Sequence, residues 1–205
     1  MHIPDGVLTG PVLGTTGALA AAGVGVGLYR MRYEEIPRVG VLSSVFFVAS
    51  LIRVPIGPSS AHLLLIGMMG YILGWAVFPA MAVALLLQAI QFGFGGFVSL
   101  GANLLNMATP GVACYYLFAR FTRPNTAPAT VFRLGFAAGV TGIVLACIMC
   151  GTTLFASGKE FVAAIIALSI GHIPVMVIEG FVTGFILAFL QKVRPEMFKK
   201  PVIGS

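Results

Sequence analysis

The stretch Gly17-Ala18-Leu19-Ala20-Ala21-Ala22-Gly23-Val24-Gly25-Val26-Gly27 consists of glycine, alanine, valine and one leucine. It is the centre of an apolar run over residues 11–30, close to the ~20 residues that a helix needs to cross a bilayer. Small side chains let a second membrane helix approach to backbone distance. The stretch therefore predicts a transmembrane helix that packs closely on its neighbours.

The rest of the composition extends this interpretation to the whole chain. Of its 205 residues, 59% are hydrophobic and 9% are charged, and the mean hydropathy is +1.03. A soluble domain carries about 25% charged residues. We therefore expect an all-α polytopic membrane protein, and the net charge of +6 does not indicate nucleic-acid binding.

Seven apolar spans account for most of the sequence, which predicts about seven transmembrane helices. They cover residues 11–30, 38–53, 60–76, 78–94, 100–121, 131–156 and 161–191. Residues 1–205 then form a single transmembrane domain. Within it, we expect an amino-terminal segment (1–10), a seven-helix bundle (11–193) and a tail (194–205).

The basic residues predict the orientation of the bundle, because cytoplasmic loops are enriched in Lys and Arg. An outside amino terminus leaves only Arg53 and Lys159 outside. The other basic residues then face the cytoplasm, as does the carboxyl terminus: Arg30, Arg32, Arg38, Arg120, Arg123, Arg133, Lys192, Arg194, Lys199 and Lys200.

The first six residues, Met1-His2-Ile3-Pro4-Asp5-Gly6, carry the most specific chemical pattern. The Met1 α-amine, the His2 amide nitrogen and the His2 Nδ1 can face one metal ion in one plane. Such tetragonal nitrogen sites favour Ni(II) or Cu(II) over Zn(II). In an arbitrary protein the pair would be only an initiator and an exposed tail residue.

His62 is the candidate for the fourth corner of this plane. It follows a Pro/Gly loop with Ser59 and Ser60, which can cap the next helix, and the predicted topology places this loop on the same side as His2. Taken alone, His62 is more simply explained as a histidine hydrogen-bonded at the membrane interface, but its predicted depth matches that of Met1 and His2, which favours a metal ligand. Ser59 and Ser60 are candidate supporting residues of the site.

Further polar residues lie among apolar ones near the same face. His172 and Glu179 are seven residues apart in the last span, and an acid within a span is a functional-site hypothesis by default. We expect both to support the metal site, with direct ligation as the alternative. The remaining candidates for supporting roles, which hydrogen bonds between helices would explain equally well, are Asp5, Gln88, Asn103 and Asn106.

These residues together resemble the CbiM/NikM family, the substrate-capture subunits of energy-coupling-factor (ECF) nickel/cobalt transporters. The resemblance rests on the amino-terminal hexapeptide, Ser59-Ser60-Ala61-His62-Leu63, the block from Gly95-Gly96 to Asn106-Met107, and Glu179-Gly180. It implies that the amino terminus folds into the bundle, where Met1, His2 and His62 hold Ni(II) or Co(II) as substrate, without any cofactor. It also implies a prokaryotic cytoplasmic membrane and three partners: a transmembrane coupling subunit, cytoplasmic ATPases and a small accessory membrane protein.

Two other functions compete with metal capture. A stand-alone secondary metal/proton transporter would use His172 and Glu179 as a proton relay. An intramembrane enzyme is the third hypothesis, but the sequence contains no HExxH motif and no Ser/Lys or Asp pair within a span. Cys147 and Cys150 have CxxC spacing, yet their apolar surroundings favour small buried residues over a redox pair. No GxxxxGK[ST] loop is present, so we expect any ATP to be hydrolysed by partners.

Overall fold

The computed structural model describes residues 2–51, 53–56 and 59–198, with the backbone alone for 53–56 and 59–62. Within these residues, helices are joined by short turns and one antiparallel hairpin, β1 (Arg53–Ile56) and β2 (Ser59–His62), which pairs Arg53 with His62. The α-helices are α1 (Gly10–Arg30), α2 (Ile36–Ala49), α3 (Ile66–Leu73), α4 (Val77–Phe92), α5 (Leu100–Leu117), α6 (Pro128–Ser157), α7 (Val162–Gly171) and α8 (Ile173–Val193). Turns of 3-10 helix cover Tyr33–Glu35, Gly74–Ala76, Ala119–Phe121, Lys159–Phe161 and Pro195–Phe198.

The predicted helical class is confirmed, with the hairpin as the exception. Four helical segments of the described residues are long and apolar enough to cross a membrane: Gly10–Arg30, Ile66–Phe92, Pro128–Ser157 and Ile173–Val193. The segment Ile66–Phe92 contains two of the predicted spans. The number of crossings therefore stays a prediction at this stage.

Contacts between helix ends define two ends of the bundle. At the first, which we call the amino-terminal end, the Thr9 amide donates to Ser157 Oγ over 3.4 Å, and Gln88 Nε2 donates to Ser50 Oγ over 2.8 Å. At the opposite end, which we call the basic end, the hydrogen-bonded pairs are Arg30 with Tyr116, Arg38 with the Ile72 carbonyl and Gln191 with the Arg123 carbonyl. The chain therefore changes direction between successive helices from α1 to α6. The short turn Gly74–Ala76 reverses α3 into α4.

The predicted start of the third helix is wrong. Residues 59–62 form strand β2, and helix α3 begins only at Ile66. Ser59 and Ser60 therefore do not cap it. The residue at the cap position is Leu65, whose φ of 48° lies in the left-handed region. The Leu65 side chain has no group that can cap a helix, and among the described residues no side chain caps α3.

The last predicted span is divided into α7 and α8 by a bend at His172. Helical hydrogen bonds continue through the bend, since the His172 amide donates to the Leu168 carbonyl over 3.1 Å and the Met176 amide to the His172 carbonyl over 2.9 Å. Pro174 cannot donate to this ladder, which explains the bend as expected.

Glycines set the closest approaches at the centre of the bundle. Gly70 of α3 lies directly against the Gly111 carbonyl of α5, and Gly67 lies against the Ala138 carbonyl of α6. A Cβ at Gly139 would lie 2.5 Å from the Glu179 carbonyl oxygen. Helices α3, α5, α6 and α8 therefore meet at backbone distance, as the density of small residues predicts.

Gly70→Ala should destabilise the protein, because the added methyl would overlap the Gly111 backbone. Overpacking of this kind typically costs about 1–3 kcal/mol, which corresponds to a melting temperature lower by about 2–10 °C. The measurement is thermal unfolding in detergent. Gly25→Ala is the matched control, since Gly25 is exposed on α1 with no atom within 4 Å of its Cβ position. Equal melting temperatures for the two variants would contradict the packing described here.

Candidate metal centre

The amino-terminal segment is inserted into the bundle rather than exposed beside it. The Ile3 side chain is 3% exposed and packs in one apolar cluster with Ala102 of α5 and with Cys150 and Leu154 of α6. Leu8 belongs to the same cluster. His2 is therefore held at the amino-terminal end, among the ends of several helices.

Asn103 satisfies the backbone of this inserted segment. The Ile3 amide donates to Asn103 Oδ1 over 2.8 Å, and Asn103 Nδ2 donates to the Ile3 carbonyl over 3.0 Å. A third bond runs from Asn103 Nδ2 to the Gly95 carbonyl over 3.4 Å. Buried backbone groups without partners cost free energy, so this one side chain makes the insertion of an extended strand possible.

Asp5 fixes the outer part of the segment. Its carboxylate accepts hydrogen bonds from the Ser99 amide over 2.8 Å and from the Phe97 amide over 3.1 Å, and Ser99 Oγ donates to the Pro4 carbonyl over 3.1 Å. The Ser99 amide is the main cause that lowers the pKa of Asp5 below its ordinary value. The carboxylate is therefore ionised at neutral pH, as a hydrogen-bonded anchor requires.

The loop that receives the segment depends on two glycines. Gly95 and Gly96 have φ of +76° and +74°, in the left-handed region. A Cβ at Gly95 would lie 2.7 Å from Asn103 Nδ2 and 3.2 Å from His2 Cδ2, and a Cβ at Gly96 would overlap the Asp5 carboxylate. Both the conformation and the space exclude a side chain at these two positions.

A chain of hydrogen bonds orients the His2 ring. His2 Nε2 lies 3.0 Å from Gln88 Oε1, Gln88 Nε2 donates to Ser50 Oγ over 2.8 Å, and Ser50 Oγ donates to the Phe47 carbonyl over 2.6 Å. Since a carbonyl only accepts, Ser50 donates to Phe47 and accepts from the Gln88 amide group. Gln88 Oε1 is then the acceptor that faces His2, so the ring proton is on Nε2 and the lone pair is on Nδ1.

Glu179 holds the backbone that follows the hairpin. Its carboxylate, fully buried on α8, accepts hydrogen bonds from the amide of Leu64 and from that of Leu65, the latter at 2.9 and 3.0 Å. A carboxylate at the start of a helix interacts favourably with the helix dipole. Glu179 thus holds the two residues that directly precede α3, and it fixes the chain two residues after His62.

The other predicted residues are placed as follows. Asn106 Oδ1 accepts from Thr153 Oγ1 over 2.9 Å, deeper along α5 than Asn103. His172 Nδ1 bonds to the Leu168 carbonyl of its own helix over 2.7 Å, so its described hydrogen bond is not directed to the amino-terminal segment. Met1 lies outside the described residues, as do the side chains of Ser59, Ser60 and His62, and residues 199–205 with Lys199 and Lys200.

Sequence reasoning missed two parts of this arrangement. Ser50 at the end of α2 orients Gln88, and the amides of Leu64 and Leu65 bind Glu179. The one sequence feature that could have indicated Ser50 is that its hydroxyl lies at the end of an apolar run. Within the described residues, no three His, Cys, Asp or Glu side chains form a group that could hold a metal.

Comparison with known proteins gives the arrangement a family. The CbiM family, described as the cobalt uptake substrate-specific transmembrane region, matches residues 2–197. The chain belongs to the CbiM family. A putative metal transport protein of Haemophilus influenzae is 41% identical over 98% of each chain. A putative fused nickel transport protein, NikMN, of Archaeoglobus fulgidus is 32% identical over 98% of this chain and 68% of its own length.

A solved structure shares the fold of this CbiM-family chain. A transition metal transporter superposes with a TM-score of 0.71 over 94% of this chain and 93% of its own, at 24% sequence identity. The family relationship makes the chain a multi-pass membrane protein of nickel/cobalt transport and not an enzyme. The ion is the transported substrate.

Asp5→Asn should loosen the amino-terminal segment, because a neutral amide is a weaker acceptor for the Ser99 and Phe97 amides than a carboxylate. We expect faster hydrogen–deuterium exchange at residues 2–9 in detergent. The pKa of Asp5 is below its ordinary 3.8, so its contribution is present above that value and lost only as the pH falls through the lower, folded pKa. Wild-type exchange protection should therefore be the same at pH 5 and pH 8.

Glu34→Gln is the control for this variant, since Glu34 is an exposed acid on the turn after α1 at the basic end. An Asp5→Asn segment as protected as that of Glu34→Gln would show that the anchor is not needed.

Proposed function

We propose that this CbiM-family protein is the substrate-capture subunit of an ECF-type transporter and binds Ni(II), or Co(II), in a square-planar nitrogen site. The ligands are the Met1 amine, the His2 amide nitrogen, His2 Nδ1 and the His62 imidazole. The observation that carries the proposal is the hydrogen bond from His2 Nε2 to Gln88 Oε1. It leaves the lone pair on Nδ1, the ring nitrogen that closes a six-membered chelate ring with the His2 amide nitrogen.

The direction of the hydrogen-bond chain is what supports this role. A metal-binding histidine usually donates its other ring N–H to an oxygen acceptor, which fixes the tautomer and raises the basicity of the ligand. The chain from His2 through Gln88 and Ser50 ends on the Phe47 carbonyl, so the tautomer is fixed before the ion arrives. Gln88 therefore acts as an orienting residue.

The position of the hairpin supports His62 as the fourth ligand. Strand β2 ends at His62. Glu179 binds the amides of Leu64 and Leu65, two and three residues further along the chain. Because these hydrogen bonds lie so close to His62, they restrict the position of the end of the hairpin relative to α3 and α8. In this proposal Glu179 supports the loop and Asn103 and Asp5 support the amino terminus. Asn106 and His172 have roles more distant from the ion.

The same contacts support seven crossings with an outside amino terminus. Helices α1 to α6 alternate between the amino-terminal and basic ends, and α7 with α8 forms one bent helix that returns to the basic end. The basic end contains Arg30, Arg38 and Arg123, so by the positive-inside rule it faces the cytoplasm. Met1 and His2 then face the side from which the ion arrives.

Partners are part of this proposal. The chain contains no nucleotide-binding P-loop, and the Archaeoglobus relative is by name a fused transport protein longer than this chain. We infer a transmembrane coupling subunit, cytoplasmic ATPases and a small accessory membrane subunit as partners in a prokaryotic cytoplasmic membrane. A proton relay for stand-alone transport is not favoured, because Glu179 and His172 bind separate backbone groups in the described part of the chain.

Adding one residue before Met1 should abolish metal binding while the fold survives, because the primary amine becomes an amide and the chelate shifts by one residue. His2→Ala and His62→Ala should have the same effect. The measurements are the metal content of the purified protein and the d–d spectrum of its Ni(II) form, which should be that of a yellow, diamagnetic, square-planar complex. The control carries the same added residue after Ser205.

Two results would refute the ligand set. The first is full nickel loading in the protein extended before Met1. The second is a paramagnetic, six-coordinate spectrum of the wild-type complex.

Gln88→Ala should weaken metal binding without abolishing it, because outer hydrogen-bond partners of ligands typically contribute about 10–100-fold in affinity. Titration with Ni(II) measures the dissociation constant. Gln191→Ala is the matched control, since Gln191 is a buried glutamine that binds backbone carbonyls at the basic end. An unchanged constant for Gln88→Ala would remove the orienting role, and complete loss would make Gln88 a ligand.

A further inference from the structure

A groove of about 670 Å³ lies between α6 and α7, outside the candidate metal centre. Its walls are mostly aliphatic or aromatic, and Cys147 and Gly151 of α6 also line it. The α6 wall includes Val144, Ile148 and Phe155, and the α7 wall includes Val162, Ile166 and Ser169.

The groove offers no free hydroxyl donor to a ligand. Its two hydroxyl side chains are already bonded to their own helices, since Thr152 Oγ1 donates to the Met149 carbonyl and Ser169 Oγ to the Ile165 carbonyl, each over 2.8 Å. A polar ligand would lose its water without compensation there. The surface therefore fits a hydrocarbon.

The groove opens sideways, toward the membrane. Ile148 on one wall and Ile166 on the other are 55% and 53% exposed. The groove follows α6 from Val144 to Phe155, a rise of about 17 Å at 1.5 Å per residue. The hydrocarbon core of a bilayer is about 30 Å thick, so the groove has the length of one leaflet.

A pair of opposite charges lies at the mouth of the groove. Lys159 and Glu160 are exposed on the turn between α6 and α7, where Phe161 separates them from Val162 of the groove wall. Lys159 is one of the two basic residues that the proposed topology leaves outside the cytoplasm. A cation can bind a lipid phosphate, and the adjacent acid disfavours an anionic headgroup and suits an ammonium group.

We propose that this groove binds one acyl chain of a zwitterionic phospholipid, phosphatidylethanolamine, from the leaflet at the amino-terminal end. The chain lies along the α6 wall between Val144 and Phe155. Lys159 binds the phosphate, and Glu160 binds the ammonium group.

The site has a structural consequence for the amino-terminal segment. Phe161, on the turn before α7, and Leu168 of α7 pack against the apolar cluster that contains Ile3 and Leu8. Ile165 packs against the same cluster and also lines the groove, so it connects the two. None of the residues of α7 is itself buried, so the packing of the protein alone holds this helix weakly. An acyl chain behind α7 supports it against the segment that carries His2.

The test is native mass spectrometry of the full-length protein after a detergent wash that removes loosely associated lipid. Palmitoyl-oleoyl phosphatidylethanolamine is added in defined amounts, and the fraction of protein that retains one lipid is measured. Ser169→Phe places a ring in the groove, and Ala167→Phe places the same ring on the exposed side of the same helix. Displacing only two buried methylenes is worth about tenfold in affinity.

We expect retention to fall at least about tenfold in Ser169→Phe, which displaces several methylenes, and to be unchanged in Ala167→Phe. Thermal unfolding verifies that each variant is folded, and Thr152→Phe on the α6 wall replaces Ser169→Phe if the latter is not. Lys159→Gln should lower retention as well. Phosphatidylglycerol should bind more weakly than phosphatidylethanolamine.

Equal retention in Ser169→Phe and Ala167→Phe would overturn the acyl-chain site. The headgroup assignment would be overturned if phosphatidylglycerol and phosphatidylethanolamine were retained equally. It would also be overturned if Lys159→Gln retained as much phosphatidylethanolamine as the wild-type protein. These measurements use protein without added metal, so their outcome is independent of the proposed nickel ligands.

Discussion

The pairing of Asn103 with both backbone groups of Ile3 is the interaction on which the proposed metal centre depends. A helix satisfies its own backbone, but an extended segment inserted among apolar helices does not. One carboxamide supplies both a donor and an acceptor at the right spacing. It allows Ile3 to be buried against Ala102 and Cys150, and it thereby holds His2 close to Gln88.

Much of this arrangement could be predicted from sequence, because polar residues among apolar ones are rare and must have partners. That signal singled out Asp5, Gln88, Asn103 and Glu179, all of which make long-range hydrogen bonds. It was too weak for Ser50, because a serine at the end of an apolar run is common in any helix. Hydropathy likewise located the helices but not the bend at His172, which Pro174 alone indicated.

The prediction failed where distant parts of the chain determine local structure. Ser59 and Ser60 were expected to cap the third helix, because serines before an apolar run often do so. In the structure they lie in strand β2, and the amides of Leu64 and Leu65 are bound by Glu179, which lies more than a hundred residues later in the chain. Leu65, whose amide Glu179 binds, has a positive φ that no local sequence pattern favours.

The two halves of the proposed site are attached to different helices. His2 is held by α4, α5 and the loop between them through Gln88, Asn103 and the Asp5 anchor, whereas the hairpin that ends at His62 is tied to α8 by Glu179. An ion bound by both histidines would join these halves by strong, directional bonds. Affinity would then depend on the position of α8 relative to α5. A partner that displaces α8 would therefore weaken the binding of the ion without contacting a ligand. Helix α8 packs on α6 at Gly139, where the two backbones are in contact, so a movement of α8 would be transmitted to α6.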